Sequence, residues 1–399
     1  MVAVRARHTV RSSFLLAFVI FCGDCAAQSR TSLWNMRSLS RPPAATWGER
    51  KGLVQEVYFQ GEPFGGKTTR IFGYFAKPDG PGPFPGMVLV HGGGGKAFSE
   101  WALHWANRGY AAIAMDLAGR GPSGPLADGG PDQSDTTKFR PFKDADTREM
   151  WSYHAVAAAI RAHSLLASLP DVDKNRIGLT GISWGGYLTC IIAGIDHRFK
   201  AAVPVYGCGF LHENSAWKEG ILDKMPTDQR ERWVRLFDPS QYLPAVRCPI
   251  LFLNGTNDFA YPMDSYKKSY SLVKSPRTIS VQIRLPHGHI WTYGIVDAFI
   301  DSYLRGGKKL VCLGALTIHH GVAEATINSQ ERAAKAELYC TNDTGKWQDR
   351  LWQSVPAKIG GHTIMAELPT TGPSVFYLAV TDSNGNIVTT EHLMPSSRH

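Results

Sequence analysis

From residue 53 onward, two kinds of apolar patterning alternate along the chain. Pro85–Val90 (PGMVLV) and Ala111–Met115 are short, nearly unbroken apolar runs, the signature of strands buried on both faces. Ala97–Arg108 and Thr147–Leu169 instead space their apolar residues at helical intervals, and Pro170 ends the second. Arg176–Thr180, Ala201–Tyr206, Pro249–Asn254 and Thr278–Arg284 are four further strand signals, each followed by a turn and a polar or helical stretch. Two more strand-like runs, Leu53–Gln60 and Thr69–Ala76, come before them. This rhythm predicts an α/β fold, a mostly parallel sheet flanked by helices. Two segments interrupt it. Residues 117–145 form a long Gly/Pro/Asp-rich loop of the kind that usually carries function, and 208–244 is a candidate lid.

The pattern changes at Gly306-Gly307. Beyond Lys309, alternation of period two replaces helical spacing, in segments such as KAELYCT, HTIMAEL and SVFYLAV. Turn signals at Asn342-Asp343 and Ser383–Asn386 separate them, so 308–399 reads as a small C-terminal β-sandwich domain after an α/β domain at 51–307. The Ser/Arg/Pro-rich stretch 28–50 reads as a linker.

Residues 1–27 have the layout of a secretory signal peptide. Arg5, Arg7 and Arg11 precede an apolar run, Phe14–Phe21, too short to span a bilayer comfortably. Cys25-Ala26-Ala27 then supplies small residues for cleavage before Gln28. Export is therefore expected, with no stable membrane insertion after processing. Cleavage removes three Arg and one Asp, leaving +7 of the formal +9 charge. No dense basic block stands outside this leader, so no nucleic-acid partner is expected. Export would permit disulfides, and Cys312–Cys340 is the one cysteine pair within the C-terminal segment. At 43% hydrophobic and 19% charged residues, the 399-residue chain can build a large core. Its oligomeric state is not legible.

Chemistry concentrates at Gly181-Ile182-Ser183-Trp184-Gly185, a G-x-S-x-G pentapeptide. Alone it is weakly specific. Here it follows the strand RIGLT and opens the helical stretch GYLTCIIAGI, the strand–turn–helix setting that presents a serine on a sharp turn. A serine hydroxyl needs a base to take its proton and a carboxylate to orient that base. Asp258 lies a few residues past one later strand, and His287 and His289 lie past the next. The order is Ser, acid, His, and all three positions follow strand C-termini, the edge where sites form in open α/β sheets. An oxyanion also needs donors. The amide of Trp184 is one candidate, and the loop His91–Gly95 after PGMVLV holds the other.

These residues resemble the serine hydrolases of the α/β-hydrolase fold. Segments HGGGG, EWALHWANRGYAAIAMDLAGRG and SLPDVDKNRIGLTGISWGG are similar to the acetylxylan esterase and dienelactone hydrolase group. GISWGGYLT and YLPAVRCPILFLNGTNDFAYP are also similar to prolyl-oligopeptidase-type catalytic domains. The resemblance covers about residues 53–305. It implies Ser183 as nucleophile, Asp258 as acid, and a catalytic histidine preceded by Gly, which selects His289 over His287. It also implies that Gly93, after His-Gly, joins Trp184 in the oxyanion hole, with Gly94 as fallback. The departures are Trp184 where the esterases have Gln, and Ile290 where they have a polar residue after the histidine. The peptidases' large N-terminal propeller has no counterpart in the short stretch before Leu53.

Other motifs weigh less. Gly119–Gly124 spells G-x-G-x-x-G, but Pro122 and the Gly/Pro-rich sequel do not open a phosphate-binding helix. Gly95-Lys96 lacks the flanking residues of a P-loop. His287-x-His289 and His319-His320 lack a third metal ligand at supporting spacing. Tyr206, Trp291 and Tyr293 flank the sheet edge, as pocket lining or as core. The expectation is an exported serine esterase hydrolysing short-chain carboxylic esters, including acetyl groups on polysaccharide, with a small ester or acetylated carbohydrate as partner and no cofactor or metal. The alternatives are a serine peptidase on the same residues and a non-catalytic binding protein.

Overall fold

A computed structural model describes residues 33–290, 292–329 and 331–395. The expected leader at 1–27 and Trp291 lie outside these residues. Within them, a sheet of 13 strands runs through the molecule. Its parallel centre is β4 (Phe84–Val90), β5 (Ala111–Met115), β8 (Val172–Ile182), β9 (Ala201–Val205), β10 (Ile250–Gly255) and β11 (Arg277–Gln282), in the spatial order β5-β4-β8-β9-β10-β11. Most of these strands are buried along their length, as their unbroken apolar runs require. On one side β3 (Arg70–Ala76), β2 (Val54–Gln60) and β1 (Ala45–Lys51) extend the sheet in antiparallel pairing.

The helices cover both faces through connections that diverge at β4. From β4 the chain passes through α2 (Ser99–Asn107) to β5 on one side. From β8 it passes through α5 (Trp184–Ile195) to β9 on the other. Val90 and Gly181 pair in adjacent strands, so the loops leaving β4 and β8 open a crevice between them. That switch point is where an open α/β sheet places its site.

The segment expected as a linker is part of the fold from Trp34 on. Trp34 is 1% exposed, stacks on Tyr153 and donates its Nε1–H to the Tyr153 carbonyl at 3.0 Å. A short helix α1 (Met36–Leu39) follows, and the Leu39 carbonyl accepts from Ser164 Oγ at 2.7 Å. Both partners lie in α4 (Trp151–Leu166), every residue of which is buried. Two faces of α4 therefore need apolar neighbours, and the lead segment provides one.

Beyond α7 (Gly294–Leu304), the C-terminal residues build the expected sandwich. One layer is β12 (Thr317–His319), β13 (Val322–Thr326), β17 (Thr363–Glu367) and β16 (Lys358–Gly360). The other is β19 (Ile387–Thr389), β18 (Val375–Asp382), β14 (Ala333–Thr341) and β15 (Gln353–Pro356). Ala323, Ile364, Leu338, Phe376 and Leu378 close the core between the layers. The second layer continues the main sheet, because β19 pairs antiparallel with β11 at Ile279 and Thr389. An otherwise open edge of the parallel sheet is thereby covered. The five described cysteines are all free, and Cys312 is exposed while Cys340 is buried.

Among the described residues, no helix is long and apolar enough to cross a membrane. Gly119–Gly124 lies in a loop and a small hairpin, β6 (Arg120–Gly121) with β7 (Gly124–Pro125), and opens no helix.

Candidate active site

Ser183 stands between β8 and α5 with φ +59°, a left-handed conformation that side chains rarely adopt. The turn closes because its neighbours lack side chains. A Cβ on Gly185 would collide with the Val90 carbonyl, and one on Gly181 with the Gly185 carbonyl. The Ser183 amide donates to the Val205 carbonyl of β9 at 2.9 Å, which ties the turn to the next strand. These constraints hold Oγ out into the crevice.

His287, not His289, meets that hydroxyl. Ser183 Oγ–H donates to His287 Nε2 at 2.9 Å, and His287 Nδ1–H donates to Asp258 Oδ2 at 2.7 Å. A carboxylate only accepts, so Nδ1 carries the proton and Nε2 is left free to accept. The other Asp258 oxygen accepts the amides of Ala260 at 2.9 Å and Tyr261 at 2.8 Å, which fixes the carboxylate's direction. The Asp258 side chain is fully buried and that of His287 is 14% exposed.

The expectation for His289 is therefore corrected. Its Nε2 accepts the Gly92 amide at 3.2 Å, in the glycine loop after β4. The two histidines of Pro-His-Gly-His are both short reaches from the same crevice, and a preceding glycine does not decide between them. The path of the turn after β11 does, bringing His287 over Asp258 and sending His289 to Gly92. Both imidazoles have protein partners, so His287-x-His289 is not an open pair of metal ligands. Burial, with His287 nearby, pushes the His289 pKa down, in keeping with a neutral ring that accepts.

The glycine loop is braced from below by His91, which is buried. His91 Nε2 accepts the Leu117 amide at 3.0 Å and Nδ1–H donates to the Gly92 carbonyl at 2.7 Å. Burial drives its pKa to about 4, so it is neutral at pH 7. Gly93 and Gly94 then line the same cleft as Ser183, and Trp184 begins α5 there. The first amides of a helix have no intrahelical acceptor, and the helix dipole adds partial positive charge at that end.

The cleft has a volume of about 670 Å³. The two segments singled out as irregular in the sequence wall it together. Trp217, from 208–244, packs on Trp184 with ring centroids 4.5 Å apart. Helix α6 (Thr227–Phe237), also from 208–244, carries Trp233, whose Nε1–H donates to the Lys138 carbonyl at 3.1 Å. Arg232 donates to the Phe142 carbonyl at 3.2 Å. The buried tryptophan makes this insertion an anchored wall. Phe259 is 58% exposed at the cleft, 4.9 Å from the His287 ring.

Lys138 was not legible as a site residue, since a lone lysine in a polar loop carries no signal. It ends the short helix α3 (Asp135–Lys138), is 3% exposed and lines the cleft. Its ammonium lies 4.9 Å from the Trp184 ring, 5.2 Å from the Trp151 ring and 3.2 Å from Asp135 Oδ1. Burial lowers its pKa, while Asp135 opposes that shift. Of the two tyrosines expected at the sheet edge, Tyr206 stacks on His287, and its hydroxyl is bonded to that of Tyr293. Among the described residues, no group of three or more His, Cys, Asp or Glu is placed to hold a metal ion.

Residues 49–242 match the family model described as acetyl xylan esterase, and residues 206–349 match that of the PhoPQ-activated pathogenicity-related protein. The chain is 26% identical over 236 residues to the acetyl esterase Axe7A of Xylanibacter ruminicola, covering 53% of this chain and 52% of that protein. It is 25% identical over 229 residues to the uncharacterized peptidase YuxL of Bacillus subtilis, covering 53% of this chain and 32% of the relative. It is also 25% identical over 215 residues to the mitochondrial acyl-coenzyme A thioesterase 2 of Mus musculus, covering 49% and 41%. The chain thus spans a third to about half the length of these curated relatives. In three dimensions, the acetyl xylan esterase from Paenibacillus sp. R4 aligns with a TM-score of 0.59 at 24% identity, over 69% of this chain and 95% of that one. By fold this chain is of the α/β-hydrolase type, and over residues 49–242 it is similar to the acetyl xylan esterases.

Proposed function

We propose that the chain is an exported serine esterase that removes short acyl groups, acetyl foremost, from carbohydrate esters. The observation that carries this reading is the continuous hydrogen-bonded line Asp258–His287–Ser183 in an open cleft, beside the amides of Trp184 and Gly93. His287 Nε2 takes the Ser183 proton as Oγ attacks the ester carbonyl, and the carbonyl oxygen becomes an oxyanion facing the Trp184 and Gly93 amides. Asp258 holds the imidazolium through Nδ1–H. Collapse of the tetrahedral species expels the alcohol, which leaves with the proton from His287, and Ser183 keeps the acyl group. Water then gives a proton to His287 and its oxygen to the acyl carbon. The carboxylic acid departs as the proton returns to Ser183.

The substrate class follows from the cleft walls. The Trp184 and Trp217 rings crowd the space next to the nucleophile, which favours a short acyl chain. Phe259 offers an exposed aromatic face on which a sugar ring can stack. The similarity to acetyl xylan esterases and to an acetyl esterase supports the same choice. Export rests on the leader pattern of residues 1–27. N-terminal sequencing of protein from the native host should begin near Gln28, and an intact Met1 would refute processing.

The test is side-by-side kinetics on chromogenic acetyl esters and matched aminoacyl amides. The expected kcat/KM ratio is at least about 10² in favour of the ester, equivalent to ~2.7 kcal/mol of transition-state discrimination. Faster amide cleavage would give the chain to the peptidase reading. A protein with neither activity, and with Ser183 unreactive to a fluorophosphonate, would be a binding protein.

A further inference from the structure

Beyond the three residues of the proton relay, we infer that Tyr206 is the positioning residue of the His287 imidazole. This rests on the reading of His287 as the base. Tyr206 follows the last residue of β9 and is buried, yet its φ is +66°. That conformation suits glycine, and the next residue is in fact Gly207. A bulky aromatic residue held there is a marked outlier, and such outliers persist only where the surroundings enforce them.

Its backbone explains how the conformation is enforced. The Tyr206 amide donates to the Leu253 carbonyl of β10 at 2.7 Å. The carbonyl of Val205, just before it, accepts both Ser183 N–H and Gly207 N–H at 2.9 Å. The residue is thus pinned between the strand that leads to Asp258 and the turn that carries Ser183.

Its side chain shows what the strained backbone achieves. The phenol ring stacks on His287, with centroids 4.3 Å apart and planes 19° from parallel. Its hydroxyl donates to the carbonyl of Pro286 at 2.5 Å, the residue directly before His287. Tyr293 shares the same hydroxyl–carbonyl cluster. One side chain therefore fixes both the plane of the imidazole and the backbone that carries it. Asp258 and Ser183 restrain the ring only in its own plane, through its two nitrogens. The stack restrains tilt out of that plane, and an aromatic face also favours a cation over it, as the ring becomes when it takes the Ser183 proton.

The residue should act on turnover and not on substrate binding, since it lies behind the imidazole and does not line the cleft. The experiment compares wild type, Tyr206→Phe, Tyr206→Leu and His287→Ala for kcat and KM on an acetyl ester. It adds the rate of fluorophosphonate labelling and the melting temperature. Tyr206→Phe keeps the stack and loses the hydroxyl tether. It should stay folded with KM unchanged and kcat about 10-fold lower. Tyr206→Leu should lose about 100-fold or more in kcat at unchanged KM, with labelling slowed in parallel.

Wild-type kcat in both Tyr206 variants, with His287→Ala inactive, would overturn the inference and leave the base assignment standing. Activity in His287→Ala would overturn the base assignment itself. If Tyr206→Leu does not fold, Tyr206→Phe decides. A Tyr206→Phe that melts earlier but turns over normally would make Tyr206 a packing residue only and overturn the inference.

Discussion

His289 Nε2 accepts the amide proton of Gly92 at 3.2 Å, one residue before Gly93, whose amide we propose as an oxyanion donor. Cβ atoms on Gly92 and Gly95 would come within 3.1 and 2.9 Å of the same nitrogen, so the glycine loop is wrapped closely around this ring. The structure gives this histidine a contact with the glycine loop after β4 in place of the proton-transfer position expected from its preceding glycine.

His289→Ala should therefore lower kcat by about 10-fold, the scale of one misplaced hydrogen-bond donor well short of its complete loss. His289→Gln, whose side-chain oxygen can accept the same amide, should recover part of it. Steady-state kinetics on an acetyl ester measures both. A loss of on the order of 10³-fold in His289→Ala would return His289 to the role of base.

His287→Ala should cost on the order of 10³-fold or more in kcat, because an unassisted serine is a weak nucleophile at neutral pH. Asp258→Asn should be comparably severe, since an amide there no longer selects the Nδ1–H tautomer. Near-wild-type kinetics in either variant would dissolve the relay.

A fluorophosphonate should label the protein once, on Ser183, and Ser183→Ala should abolish labelling and turnover together. Peptide mapping by mass spectrometry locates the adduct. An adduct on another serine would refute the elbow as the reactive centre.

Three buried histidines should make the fold acid-sensitive. Burial drives His91 and His154 to about pKa 4 and His392 to about 3. In the unfolded chain such rings bind protons below about pH 6.5. Between that pH and the folded values the unfolded state binds more protons, so stability falls as acid is added. Each histidine should remove about 2 kcal/mol between pH 7 and pH 5. Urea unfolding at the two pH values measures it, and equal midpoints would show that these rings are not buried neutral.

The lead segment gives a prediction about stability alone. Trp34→Ala empties a fully buried site beside Tyr153 and should cost about 3–5 kcal/mol, with KM for an acetyl ester unchanged at a temperature where the variant is folded. An unaltered urea midpoint would mean that residues 34–51 only lie on the surface.

What the sequence determined by itself is what local pattern can encode. Apolar runs such as PGMVLV and AAIAM placed β4 and β5 to within a residue, because a strand buried on both faces has no polar positions to blur it. Ser183 was legible because the elbow needs glycine at 181 and 185, a steric demand written into five consecutive residues. Asp258 followed from its place after a buried strand.

What only the tertiary structure decided depends on residues far apart in the chain. Pro-His-Gly-His offers two imidazoles two positions apart, and no periodicity separates them. The choice falls to Asp258, 29 residues upstream, and Ser183, 104 residues upstream, which both reach His287. Residues 28–50 looked like a linker because the polar composition of that stretch hides one anchor, Trp34, whose partner Tyr153 is 119 residues away. The C-terminal strands read as a sandwich from their alternation, but alternation fixes only which face of a strand is buried. Which strand it pairs with, here β19 on β11 at the open edge of the parallel sheet, is set by the packing of the assembled chain.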